Sequence, residues 1–175
     1  EDNKDRFYSE SKQFDEVSKE YISKNYTEII SLLLPFASKF SKINVSKYNF
    51  ALIERDGLQR FYISLLHEAN KYFSYREPKN FFVCYKDYMG KGDCFYNELI
   101  LDALYYLPDD YADKCIEYLL TDFNKTLFEQ SEGYERKMIL AKRLIGKVSI
   151  HCSAELYHQL EYRIIHYTSP EALRW

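Results

Sequence analysis

A chain of 175 residues and 21.1 kDa suits one compact domain or a few units of a repeat array. With 46% hydrophobic residues, 29% charged residues, and only 5 Gly and 4 Pro, disordered, collagen-like and loop-rich chains are excluded. A net charge of −3 and a pI near 5.9 match a phosphate backbone poorly, so nucleic acid is not an expected partner.

Helical periodicity runs through the sequence. Phe14, Val17 and Tyr21 form a first apolar stripe, and Tyr26, Ile29, Ile30 and Leu33 form a second that ends or kinks near Pro35. A third stripe is Leu58, Phe61, Tyr62, Leu65, Leu66, Ala69 and Phe73. After Glu77-Pro78 a fourth runs through Phe81, Phe82, Tyr85 and Tyr88 to a glycine stop at Met89-Gly90-Lys91-Gly92. The alternation over residues 80–85 is too short to establish a strand.

From Asp93 onward, Tyr96, Leu99, Ile100, Ala103, Leu104 and Leu107 keep helical spacing up to Pro108. Asp109 or Asp110 then suits the cap of a helix carrying Ala112, Cys115, Ile116, Leu119 and Phe123. The polar stretch 124–133 reads as a loop, followed by a stripe of Tyr134, Met138, Ala141, Leu144, Ile145 and Val148. Ser153 is placed to cap a helix bearing Leu156, Leu160, Ile164 and Tyr167, and Ser169-Pro170-Glu171 repeats a start signal.

These elements predict an all-α fold, an irregular HEAT- or TPR-like stack of helical hairpins, with a closed helical bundle as the alternative. One helical segment over 1–175 is expected, with sub-units 1–48, 49–92, 93–133 and 134–175. The absence of an initiating Met and the helix start near the last residue read as an excised piece of a longer protein.

No apolar run reaches the roughly 18–20 residues of a membrane span, so no membrane partner is expected. The N-terminus has no secretory pattern, and the cysteines (Cys84, Cys94, Cys115, Cys152) form no CxxC pair. A reduced, cytoplasmic protein follows as the expectation, with the sequons at Asn25, Asn44 and Asn124 taken as chance. An extracellular domain with disulfides is the competing possibility.

Chemistry-bearing motifs are sparse. Gly90-Lys91 and Gly146-Lys147 both lack the phosphate-binding frame, and Ala141 stands where the second would need its first glycine. There is no G-x-S-x-G, and His67-Glu68 lacks the second histidine of H-E-x-x-H. Glu155-x-x-His158 puts a carboxylate and an imidazole on one helix face, and His151 and Cys152 could join them around a metal if the turn folded back. That set (His151, Cys152, Glu155, His158) is the alternative reading, a self-contained helical-bundle metal protein or enzyme. The leading expectation has no catalytic residue, no metal and no cofactor. Lys39, Lys42 and Lys47 read as a solvated face.

Aromatic content is unusual: 18 Tyr, 12 Phe and one Trp make 18% of the chain, enough for both core rings and an adhesive Tyr-rich surface. Tyr105, Tyr106 and Tyr118 flank the buried stripes and are the candidate protein contacts.

Leu107-Pro108, Tyr111-Ala112-Asp113, Leu119-Leu120-x-Asp122, Ala141-Lys142-x-Leu144-Ile145 and His151-Cys152-Ser153, continuing through Leu160-Glu161 to Tyr167, resemble the helical-repeat region of bacterial STAND NTPases of the antiviral Avs type. The resemblance covers roughly residues 93–170. It implies a sensor or scaffold array that recognises a phage protein, with effector and ATPase modules elsewhere in the parent chain and oligomerisation through that parent. It carries over no catalytic residue, and gives His151, Cys152 and Ser153 a structural place at a hairpin turn.

Overall fold

The computed structural model describes residues 15–37, 53–89, 94–121 and 135–166. Phe14, Lys39, Lys42, Lys47, the expected stop at 90–92, Phe123, the stretch 124–133, Tyr134, Tyr167, the expected start at Ser169-Pro170 and the sequons at Asn44 and Asn124 lie outside them. So do the side chains of Leu58, Cys94 and Met138, and every internal edge of the expected sub-units. Among the described residues there are seven α-helices and no strand, so the fold is all-α. None of the helices is long and apolar enough to cross a membrane. The chain divides into two compact units, Glu1–Glu77 and Pro78–Trp175.

In the first unit, α1 spans Glu16–Leu33. Asp15 caps it, its Oδ1 accepting the Ser18 N–H at 2.7 Å, and this bond holds the carboxyl below its ordinary pKa. Asn25 leaves helical geometry (φ −121°, ψ 17°), and its side-chain amide donates to the Tyr21 carbonyl at 2.8 Å. Val17 and Tyr21, expected to be buried, are 76% and 64% exposed, while Ile22 goes inside with Ile29 and Ile30. A 3-10 turn over Leu34–Phe36 follows, with Pro35 in its first turn.

Helix α2, Ile53–Arg76, buries Leu66, Ala69 and Phe73 against α1. The first half of α1 lies beside the end of α2. There the Arg76 guanidinium donates to the Ser23 carbonyl and sits over the Tyr26 and Tyr72 rings. The Tyr26 hydroxyl donates to Glu77 Oε1 at 2.6 Å, a bond that raises the phenol pKa by keeping its proton engaged. The carbonyls next to the break in α1 therefore find partners on α2 and within α1 itself.

In the second unit, α3 is Pro78–Tyr85, α4 Cys94–Leu104, α5 Ala112–Leu120, α6 Glu135–Val148 and α7 Ala154–Ile165. The expected stripes supply the core: Phe81 and Tyr85; Tyr96, Leu99, Ile100, Ala103, Leu104 and Leu107; Ala112, Cys115, Ile116 and Leu119; Ala141, Leu144 and Val148; and Leu160. Ile164, expected in the last stripe, is instead exposed.

Two element boundaries differ from the expectation. Helix α4 stops at Leu104, ahead of Pro108, and Asp109 and Asp110 belong to a 3-10 turn instead of acting as caps. That turn runs into α5, which starts without a side-chain cap. Helix α4 packs against α6, and α5 packs against both α6 and α7.

Candidate functional site

The last carbonyls of an α-helix have no partner inside it and need a donor from elsewhere. After α4 the Ala103 and Leu104 carbonyls accept the Tyr106 and Leu107 N–H groups of the turn, and the turn's own carbonyls find their donor in Lys147 of α6. Its Nζ donates to the Tyr105 carbonyl at 2.8 Å and the Leu107 carbonyl at 2.6 Å, and lies 3.8 Å from Asp109 Oδ1. A cation at a helix C-terminus also opposes the negative end of the dipole. At the end of α5, Arg163 of α7 donates to the Leu120 carbonyl. At the start of α7, the Ser153 N–H donates to Asp113 Oδ1 of α5 at 2.6 Å. Ser153 thus occupies the N-cap position with no side-chain cap bond of its own.

These bridges span 42, 40, 43 and 40 residues of sequence. The Lys147 bonds join α6 to the turn after α4, and the Arg163 and Ser153 bonds join α7 and its start to α5.

Beside this junction lie the candidate contact tyrosines. Tyr105 and Tyr106 are half-buried in the turn after α4, their rings edge to face at 5.3 Å. The Arg143 guanidinium of α6 stands 3.7 Å from the Tyr105 ring centroid, with Lys147 Nζ at 5.5 Å from the same ring. Burial works against the Arg143 charge, but the Tyr105 and Tyr106 hydroxyls outweigh it and raise the guanidinium pKa.

Tyr118 is not part of this surface. It is 5% exposed, and its hydroxyl donates to the buried Asn97 Oδ1 at 3.1 Å. Its place among the contact residues is corrected to the core between α5 and α4.

The alternative ligand set does not assemble. His151 Nε2 faces Asp109 Oδ2 at 3.4 Å, and the Cys152 thiol donates to the Ser149 carbonyl at 3.5 Å. Glu155 accepts from Gln159, while His158 Nδ1 faces Glu161 Oε2 at 3.6 Å. Among the described residues no three His, Cys, Asp or Glu side chains are placed to share an ion. His151 and Cys152 instead line an open cleft of about 310 Å³ with Asp109, Asp110 and Asp113.

Cys84, Cys115 and Cys152 are free thiols. Burial raises all three pKa values, that of Cys115 to about 12, which makes them poor nucleophiles.

Comparison with family models, curated proteins and solved structures finds no match to this chain. Arg143 was not singled out by motif or stripe, and Lys147 only as part of a Gly-Lys pair that lacks the phosphate-binding frame. The signal that marks them is compositional: α6 carries Arg136, Lys137, Lys142, Arg143 and Lys147 against Glu135 alone, in a chain of net charge −3.

Proposed function

We propose that this protein is a non-enzymatic helical-repeat module for protein recognition, a sensor or scaffold segment of an anti-phage STAND NTPase. The observation that supports the repeat reading is the set of four bridges from α4–α5 to α6–α7, each spanning 40–43 residues of sequence. Units of that length complete one another by stacking, because a single hairpin cannot bury its own stripe or satisfy its own ends. The turn bearing Tyr105 and Tyr106 is the contact surface, since half-buried tyrosines give rigid contact area at low entropic cost. The family assignment rests on the sequence resemblance over residues 93–170.

The test is capture from phage-infected bacterial extracts, with uninfected extract as control. The wild-type chain should retain a phage-encoded protein that the Tyr105→Ser/Tyr106→Ser variant retains far less, while both show the same helical circular dichroism. Equal retention by the two chains, or none from infected extract, overturns the reading.

A further inference from the structure

We propose that the exposed face of α6, formed by Lys142, Arg143 and Gly146 beside Tyr105, binds an acidic peptide segment of the recognised protein. This inference rests on the protein-recognition reading and names the chemistry of the partner.

Arg143 is exposed and lies against Tyr105, with no carboxylate at ion-pair distance among the described residues. A guanidinium stacked on a ring is held in one plane and keeps N–H groups at its edge for a carboxylate, which it grips with two parallel bonds. Lys142, its exposed neighbour, stands four residues before Gly146 and so shares a face with it.

Gly146 is the second, independent observation. A glycine inside a helix is disfavoured relative to alanine, yet a Cβ built there meets nothing within 4 Å. Packing within the chain therefore does not require glycine at this position. Its effect is open space on the face beside Lys142 and Arg143, where an extended backbone can approach the helix.

The charge balance favours a peptide over nucleic acid. Lys142 and Arg143 stand on one helix, and Asp109, Asp110 and Asp113 line the cleft at the adjoining turn. A long phosphate backbone would run from the attractive face into these acids, whereas a short acidic segment ends before them.

The experiment is a fluorescence-anisotropy titration of the full chain with three labelled probes: a short peptide alternating Glu and Ala, the same peptide with Gln for Glu, and a single-stranded oligonucleotide of similar length. The Glu peptide should bind, and weaken as salt is added. Arg143→Gln and Lys142→Gln should each weaken it, the former by about tenfold, the effect of one charge-assisted contact. Gly146→Ala should raise the melting temperature while lowering peptide affinity, a combination that a merely structural glycine would not give. Equal binding of the Gln peptide, tighter binding of the oligonucleotide, or unchanged binding in Arg143→Gln overturns the proposal. If these results coincide with Tyr-dependent capture of a phage protein, recognition stands and the acidic ligand falls. If capture also fails, both fall.

Discussion

Tyrosines adjacent in sequence pattern have opposite places in this molecule, and their hydroxyls decide which is which. The Tyr118 hydroxyl is buried with Asn97 as its acceptor, so removing it leaves a polar atom in the core without its donor. Tyr118→Phe should lower stability by about 1–3 kcal/mol in urea unfolding. Tyr105→Phe keeps the ring under Arg143 and should change stability by less than about 0.5 kcal/mol.

Cys115 makes a second prediction at the same scale. Its thiol is buried beneath the end of α4, 3.9 Å from the Leu104 carbonyl, and its folded pKa of about 12 lies above the ordinary value of 9.0. The folded state thus holds this proton more tightly than the unfolded one. The resulting stability is complete below pH 9.0 and is lost as pH rises from there towards about 12. In native protein at neutral pH, iodoacetamide should leave Cys115 unmodified while Cys84 and Cys152 react slowly. Peptide mass mapping checks this, and denaturant should expose Cys115. Replacing Cys115 with Ala should flatten the alkaline loss of stability relative to wild type.

Among the helices, the bridging cations carry a cost when removed. Lys147 satisfies the Tyr105 and Leu107 carbonyls, and its side chain is only 27% exposed. Lys147→Met keeps the stem and loses both bonds, so a loss of about 1–3 kcal/mol is expected, measured by thermal or urea unfolding.

The same contrast explains what could be read from sequence. Stripes such as Leu99, Ile100, Ala103 and Leu104 were legible because helical burial imposes a 3.6-residue period on the residues themselves. The burial of the first turns of α1 was misread because Val17 and Tyr21 were taken as the buried stripe, whereas Ile22, seven and eight residues before Ile29 and Ile30, is the residue on their face. Asp109 and Asp110 looked like caps because acids favour helix starts, but a 3-10 turn occupies that place. Tyr105 and Tyr106 were recognisable as edge residues, but Tyr118 was not distinguishable from them. A helix packed against α6 and α7, and bonded to Asn97 of α4, buries more than one stripe. The roles of Lys147 and Arg163 were hidden because their partners lie 40–43 residues away.

At the scale of the whole molecule, the two architectures differ in how damage spreads. In a stack each hairpin leans only on its neighbours, so stability is a sum of local terms and interface terms. A closed bundle shares one core and loses protection everywhere at once. Arg163 is the probe that separates them, because it joins α7 to the end of α5 and, among the described residues, bonds to neither α3 nor α4. Arg163→Ala leaves the Leu120 carbonyl without its charged donor. Hydrogen exchange of the stacked form should then speed up by about tenfold for the last turn of α5 and for α7, while amides in α3 and α4 exchange as before. A uniform rise across α3 to α7 would instead mean that these helices open together, and the bridges would describe a single cooperative core in place of successive repeats.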